Sequence, residues 1–382
     1  TSIWIGVGVN VLIAGYLGQR KQNEANSTVT HGLLLAFVIG ALLNLLSLLI
    51  MKPYFGAFTN NEEIYQLSLD YMSVCSFMQI PNMVHIAIQK MIQATGNMVA
   101  PMWFQIAGVV VNFVFDPLLI FGIGVFPAMG IRGAAVATVA SYLLSMILAF
   151  ALLLGKKQKV QIKIKEFHIQ KWMIARIFVL GLPSFIMNAL SSFMVTFVNL
   201  FLVAYSDTAI AFFGAYFKVQ QLIVMTVNGL IQGCLPIMRF NYGAGNRDRL
   251  HSAFRYGTVL VSGMMILGTL TVNFFPAQFL ELFTASEDMR SFGISAMRIM
   301  SASYLFCGLS TMISTYFQAT EKVGSSITIQ LCRQLLILVP ALWCLDKLFQ
   351  LNGIWLAFPV AETATMLIAL VIMAWHHHKN ML

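Results

Sequence analysis

Charged side chains are scarce in this sequence. Only 10% of its 382 residues are Asp, Glu, Lys or Arg, whereas 59% are hydrophobic and the mean hydropathy is +0.80. Soluble globular domains carry about 25% charged residues. A water-soluble fold of this length could not hide so much apolar surface, so this class is excluded and lipid is the expected solvent.

Common catalytic and metal-binding patterns are also missing. There is no Gly-x-x-x-x-Gly-Lys-Ser/Thr loop to hold phosphates, which disfavours ATP hydrolysis, and no His-Glu-x-x-His motif. The five cysteines lack metal-ligand spacing and are expected to pack among apolar residues. His376, His377 and His378 lack partner ligands and are interpreted as a solvated tail. We therefore expect neither an enzyme nor a resident cofactor or metal.

Long apolar runs occupy most of the chain. Each is long enough to cross about 30 Å of hydrocarbon as a helix. They show no two-residue alternation, which favours helices over a β-barrel. The sequence predicts an all-α, polytopic membrane helix bundle. We expect eleven spans, at 1–16, 32–52, 65–92, 100–124, 130–154, 175–203, 208–236, 252–276, 292–317, 325–345 and 352–375.

Basic residues predict the orientation of these spans. If connections alternate between sides, one side collects most of the Lys and Arg residues, including Arg20, Arg333 and the Lys-rich stretch 155–171. That side is expected to be cytoplasmic, together with both termini. The formal charge of +9 then reflects topology and attraction to anionic lipid headgroups, so no nucleic-acid partner is expected.

An internal repeat relates the two halves at an offset of 225 residues. Glu62 aligns with Glu287, and Gln93-Ala94-Thr95 aligns with Gln318-Ala319-Thr320. Gly130-Ile131 then matches Gly353-Ile354 at a slightly smaller offset. The repeat predicts two pseudo-symmetric six-helix lobes. The expected parts are a first lobe at 1–154, a linker at 155–171 and a second lobe at 172–382.

The first lobe is expected to be incomplete. The second half begins near Lys171, so the equivalent start lies roughly 50 residues before Thr1. We therefore expect about eleven of twelve spans, with one span and part of the next missing at the N-terminus. An even number of spans per half implies an axis along the membrane normal and a cavity between two bundles, as in alternating-access transporters.

Several stretches resemble the multidrug and toxic compound extrusion family. Residues 93–97, 112–120 and 130–138 are similar to its first-half signature, and 241–246 to the loop that closes its eighth helix. Residues 318–362 resemble the bacterial branch that exports cationic drugs and dyes. The resemblance implies a two-lobed, V-shaped exporter that exchanges external H⁺ or Na⁺ for amphiphilic cations. We expect it to act as a monomer in contact with membrane lipids.

Ionisable residues inside apolar runs are costly and are usually functional. Asn112 and Asp116 are separated by one helical turn and so share a face. The resemblance places the cation-coupling site of the first lobe at this pair. The alternative is that Asp116 only satisfies backbone groups freed by Pro117.

Lys218 and Glu362 are the other two intramembrane charges. Each is a candidate for the substrate cavity or for a structural ion pair. Four amides are candidates for the cavity wall or for bridges between helices, namely Gln220, Gln221, Asn188 and Gln89.

The sequence departs from the family's pattern in its acidic residues. Spans 175–203 and 292–317 contain no acid, so the acidic sodium site of the second lobe found in some branches is not expected. The acid of the family's first helix would lie in the missing segment.

Two other classes of function stay open. A flippase of lipid-linked sugars has a related fold but needs several central cations to hold a pyrophosphate, and Lys218 is the only one expected here. A membrane receptor or intramembrane enzyme is the third class, and no catalytic constellation supports it.

Overall fold

The structure is a computed structural model that describes residues 2–59, 61–155, 158–163, 167–283 and 285–379. Within these ranges the chain forms α-helices and no strand. The bounds are α1 Ser2–Gly18, α2 Gln22–Phe58, α3 Glu62–Cys75, α4 Gln79–Ala94, α5 Val99–Phe121, α6 Ile131–Leu153, α7 Lys171–Leu202, α8 Asp207–Gly243, α9 Arg247–Phe274, α10 Pro276–Leu282, α11 Glu287–Ser301, α12 Tyr304–Ala319, α13 Val323–Leu331, α14 Leu338–Phe349 and α15 Leu351–Lys379.

Two helix pairs are joined without a loop. A 3₁₀ turn, Ser76–Met78, connects α3 to α4, and a π-helical segment, Cys332–Leu336, connects α13 to α14. A π segment adds a residue to the helical turn and changes which side chains face a neighbour. The segment at Cys332–Leu336 therefore alters the register of a membrane span in mid-helix.

The described helices confirm a polytopic bundle. Nine of them are long and apolar enough to cross a membrane, when α11–α12 and α13–α14 are each counted as one helix. The other two expected spans coincide with α1, a short apolar helix of 17 residues, and with the α3–α4 pair.

The chain forms two compact units, Thr1–Gly181 and Leu182–Leu382. The start of α7 belongs to the first unit, where Trp4 donates its indole N–H to the Phe178 carbonyl at 2.7 Å. A Cβ added to Gly181 would lie 1.9 Å from the Trp4 carbonyl oxygen, so only glycine allows this approach of α7 to α1.

The predicted linker is docked on α2 where it is described. The Gln161 amide donates to Asn26 Oδ1 at 2.9 Å, and the Gln170 amide donates to His31 Nε2 at 2.9 Å. Lys156, Lys157 and Lys165, which contribute to the predicted charge of this stretch, lie outside the described residues.

Equivalent helices of the two units begin and end at the predicted offset. Glu62 and Glu287 begin α3 and α11, while Gln79–Ala94 and Tyr304–Ala319 are α4 and α12. In the first unit α4 packs on α1, α2 and α6, and in the second unit α12 packs on α8, α9 and α15. A duplicated bundle accounts for both regularities.

Backbone conformation repeats as well. Arg20 and Gly245 have φ of 60° and 70°, and Gly96 and Glu321 have φ of 89° and 61°. L side chains rarely adopt this left-handed region. The two halves therefore share turn geometry even where a non-glycine residue must adopt it.

One part of the sequence alignment was wrong. Gly130 precedes α6 with φ 55° and ψ −132°, and its conformational partner is Gln350 before α15, with φ 51° and ψ −136°. Gly133 then corresponds to Gly353. The Cα of Gly133 packs against the carbonyl group of Leu119, and the Cα of Gly353 packs against that of Leu345. The sequence alignment had matched Gly130 with Gly353 because each is followed by an isoleucine.

The substitution Gln350→Gly should stabilise the protein by about 1 kcal/mol, because it removes the strain of a Cβ at positive φ. Thermal unfolding of the purified protein measures the effect. Gln350→Ala is the matched control, since it shortens the side chain but keeps the Cβ. Equal gains from Gly and Ala would show that the side chain, and not the backbone, is responsible.

Candidate functional site

The first candidate site lies between α5 and α6 in the first unit. Asn112 Nδ2 is 3.4 Å from Asp116 Oδ1 on the same helix and 3.4 Å from Thr138 Oγ1 on α6. All three residues are half-buried. These distances are long for hydrogen bonds, so the amide satisfies the carboxylate only weakly.

Asp116 forms no ion pair among the described residues, where the ion pairs found join other side chains. An ionised carboxylate only accepts hydrogen bonds, so it cannot satisfy the backbone carbonyl that Pro117 leaves without a donor. The structural alternative for Asp116 therefore explains a neutral carboxyl group but not a charged one.

The second candidate site is a cavity of about 610 Å³ inside the second unit. Cavities of roughly 300 to 1,000 Å³ suit drug-sized ligands. Its wall consists of Met187, Asn188, Ser191, Ser192, Met194, Val195, Phe217, Gln220, Gln221, Val224, Met225, Val227, Asn228, Ile231, Met265, Cys307, Thr311, Arg333, Gln334, Leu338, Phe358, Ala361 and Glu362.

An ion pair lies in the wall of this cavity. Arg333 Nε donates to Glu362 Oε1 at 2.8 Å, and the two side chains are only 13% and 14% exposed. The guanidinium also donates to Thr311 Oγ1 at 2.9 Å and to Cys307 Sγ at 2.7 Å. Within the described chain the second carboxylate oxygen, Glu362 Oε2, has no hydrogen-bond partner.

Local breaks in two helices position this pair. Arg333 belongs to the π-helical segment, and Glu362 follows Pro359 on α15 by less than one turn. Proline removes a backbone hydrogen bond and bends a helix, and π segments often mark functional sites. Both breaks lie beside polar side chains that line the cavity.

Amides and thioethers form much of the remaining wall. Gln220, Gln221 and Asn188, three of the predicted amides, line the cavity together with Asn228 and Gln334. The Asn188 amide donates to the Ser184 carbonyl at 2.7 Å, so one of its groups is already used. Methionine side chains are flexible and polarisable, and they adapt to ligands of different shape.

Two predicted cavity residues lie elsewhere. Lys218 is exposed on α8, with its amine 5.8 Å from the centroid of the Phe283 ring, and it does not line this cavity. Gln89 is in the first unit, where its amide donates to Gln105 Oε1 at 3.2 Å and bridges α4 to α5. Glu362 fits both interpretations considered for it, because it pairs with an arginine and also lines the cavity.

Sequence reasoning missed Arg333 as a site residue. Its positive charge was assigned to the cytoplasmic side, whereas the residue lies inside the span Val323–Phe349. The need of an intramembrane Glu362 for a partner was the available signal. Thr138 was also missed, because a single threonine in an apolar helix carries no distinguishing pattern.

A polytopic helix bundle built of two equivalent helical units is an architecture typical of secondary membrane transporters. The family model described as MatE matches residues 2–118 and 183–343, and the chain belongs to this family of transporters. The expected family is thereby confirmed.

Individual relatives agree with this assignment. The chain is 25% identical over 362 residues to a FAD transporter of Shewanella oneidensis strain MR-1, covering 94% of this chain and 80% of that protein. It is 25% identical over 368 residues to the multidrug export protein MepA of Staphylococcus aureus strain MSSA476, covering 96% of this chain and 80% of that protein. A crystal structure of MATE in complex with MaL6 superposes with a TM-score of 0.91 at 21% identity, covering 98% of this chain and 84% of that one.

Removing one charge of the ion pair should destabilise the protein more than removing both charges. We expect Arg333→Gln to lower the free energy of unfolding by about 2 kcal/mol, less than for a fully buried pair because the cavity admits water. The double variant Arg333→Gln/Glu362→Gln should recover much of this loss. Chemical or thermal unfolding of both variants measures it. A double variant as unstable as the single one would contradict the explanation.

Proposed function

We propose that the protein is a secondary active antiporter that exports organic cations, drugs or dyes in exchange for H⁺ or Na⁺. The cluster of Asp116, Asn112 and Thr138 carries the proposal, since it offers a carboxylate with no described counterion inside a membrane span. The multidrug export protein of S. aureus supports the substrate class. The expected location is a bacterial plasma membrane, with termini and linker on the cytoplasmic side.

The coupling step follows from the cost of a charge in a low-dielectric medium. A proton or a sodium ion on Asp116 neutralises the carboxylate and lowers the free energy of placing it among apolar helices. Sodium would also use the oxygens of Thr138 and Asn112, since it prefers oxygen ligands. Occupied and unoccupied states then favour different conformations, as alternating access requires.

Asp116→Asn should abolish gradient-driven efflux while leaving the protein folded. The amide has the shape of the carboxylate but neither binds a proton nor neutralises a cation at physiological pH. Efflux of a cationic dye from cells or proteoliposomes with an imposed H⁺ or Na⁺ gradient measures the effect.

Glu63→Gln is the matched control, because Glu63 is an exposed acid of the same unit. Its efflux should equal that of the unmodified protein. Full efflux by Asp116→Asn, unaffected by collapse of both gradients, would disprove the coupling role.

Thr138→Val distinguishes the two coupling ions. If Na⁺ is bound, loss of the hydroxyl ligand should weaken apparent Na⁺ affinity roughly tenfold, equivalent to about 1.4 kcal/mol. If H⁺ is bound, efflux driven by a pH gradient should be unchanged. Efflux at varied external Na⁺ measures the first quantity.

Thr271→Val is the control for Thr138→Val, because this threonine is also half-buried and its hydroxyl only donates to its own helix backbone, at Leu267. It should alter neither mode of efflux. Equal loss of H⁺-driven and Na⁺-driven efflux in Thr138→Val would mean that Thr138 has a structural role.

Anionic substrates are the second candidate, because one relative is named a FAD transporter. Both FAD and a lipid-linked sugar carry a pyrophosphate, which binds best to several cationic side chains. Arg333 is the one cation in the described cavity wall, and Glu362 already pairs with it. We therefore rank organic cations above anionic substrates. Efflux of FAD, measured beside efflux of a cationic dye, tests this ranking.

A further inference from the structure

The predicted linker lies along the first turns of α2 through hydrogen bonds to side chains of that helix. Gln22 Nε2 donates to the Lys159 carbonyl at 2.6 Å, and the Gln161 amide donates to Asn26 Oδ1 at 2.9 Å. Both contacts join uncharged groups that do not titrate between pH 5 and pH 8. This part of the docked linker is therefore insensitive to pH.

His31 makes the contact at the other end of the linker. The residue is fully buried, with Nδ1 2.8 Å from the Ser27 carbonyl oxygen, and Nε2 accepts from the Gln170 amide at 2.9 Å. The Phe167 ring packs on the imidazole, with 4.7 Å between the ring centroids. A carbonyl only accepts and a backbone amide only donates, so these bonds require a neutral ring with its proton on Nδ1.

A second proton on His31 is incompatible with the docked linker. It would bind at Nε2, the atom that accepts from the Gln170 amide, and would leave two N–H donors facing each other. It would also place a positive charge on a side chain that no water reaches. The proton and the linker therefore compete for the same lone pair.

The surroundings of His31 do not favour a cation. Linker, α7, α4 and α1 all pack near it, since Thr28 contacts Met173, and a Cβ on Gly32 would meet Met91 and Val9. Helix α1 has no charged residue. On the other elements the described groups that are charged or titrate near neutral pH are Glu24, Lys90, Lys159, Lys163, His168, Lys171 and Arg176.

Glu24 is the one acid in this set, and it precedes His31 by two turns of α2, about 10 Å along the helix axis. Basic residues prevail on the elements that pack around the ring. Lys156, Lys157, Lys165 and Glu166 of the linker lie outside the described residues. The described part of the chain thus offers little compensation for a second proton on His31.

We propose that His31 is a proton-operated latch. Neutral His31 holds the end of the linker on α2, and a second proton on Nε2 releases it, so acidification of the cytoplasm changes the rate of transport. Gln170 directly precedes α7, and this helix continues from the first unit into the second. The proposal rests on the proposed function only in placing this end of α2 at the cytoplasm, and it does not require Asp116.

The direction of the pH response follows from proton counting. The docked state binds one proton fewer than the released state, so release must increase as the pH falls. A histidine in water takes up its second proton at about pH 6.5. The docking equilibrium should therefore fall about tenfold between about pH 7.5 and about pH 5.5.

Hydrogen exchange of the purified full chain tests the release. The exchange rate of the Gln170 amide is read by mass spectrometry and divided by its intrinsic rate at each pH. Its protection should fall about tenfold between about pH 7.5 and about pH 5.5. The Arg249 amide is the internal control, because it donates to the side-chain amide oxygen of Asn246 at 3.1 Å and should keep its protection.

Two variants of His31 separate the proton from the packing. His31→Gln offers Oε1 as an acceptor that does not titrate, so the protection of Gln170 should be equal at both pH values. His31→Phe keeps an aromatic ring against Phe167 but has no acceptor, so protection should be low at both. A tenfold response that persists in His31→Gln would overturn the proposal.

His168→Gln and Glu166→Gln are the control variants, because they remove the other titratable groups nearest to Gln170 in the sequence. Both should keep the full response of the unmodified protein. Loss of the response in either variant would assign the sensor to another group. Equal protection at both pH values in the unmodified protein would likewise contradict the latch.

The effect on transport is measured in proteoliposomes, with the same H⁺ and Na⁺ gradients imposed at two absolute pH values. The ratio of dye efflux by the unmodified protein to efflux by His31→Gln should change roughly twofold or more at the acid pH. A ratio that is independent of pH would refute the regulatory role. Absence of efflux in both proteins, with the exchange pattern intact, would refute the antiporter and leave the release of the linker standing.

Discussion

Lipid does not hydrogen-bond to protein, and this constraint shapes the whole chain. Backbone groups in the hydrocarbon must be satisfied within their own helix, and charges must be satisfied by other side chains. The Arg333 side chain illustrates this, since its guanidinium reaches a carboxylate, a hydroxyl and a thiol on two other helices. Removing any of these partners would leave a buried polar group without compensation.

Irregular helix geometry occurs where polar chemistry is needed. The π segment carries Arg333 and Gln334, and Pro359 precedes Glu362 on α15. In the first unit Pro117 directly follows Asp116 on α5. Each break weakens a helix locally, and each lies beside a polar side chain that faces a candidate site. The polar sites and the helix breaks are therefore one feature of the fold.

Duplication gave two units with the same helices, but their charges are not at equivalent positions. Arg333 occupies the position of Gly108 in the first unit, where a Cβ would lie 2.1 Å from Ser145 Oγ. Because Leu119 and Leu345 are equivalent, Asp116 corresponds to the apolar Leu342 of α14. The two units thus share packing and differ in chemistry, with an isolated carboxylate in one and a neutral ion pair in the other. This division is consistent with coupling in the first unit and ligand recognition in the second.

The sequence by itself determined the membrane class, the helical bundle, the repeat and the family, because hydrophobic length and local motifs are properties of contiguous residues. It also identified Asp116 and Glu362, since acids inside apolar runs are conspicuous. Only the tertiary structure decided that Arg333 is the partner of Glu362, that Thr138 lies beside Asn112, that Lys218 and Gln89 do not line the cavity, and that Gln350 corresponds to Gly130. These relations depend on helix rotation, on a π segment and on backbone conformation, none of which a linear pattern of residue types records.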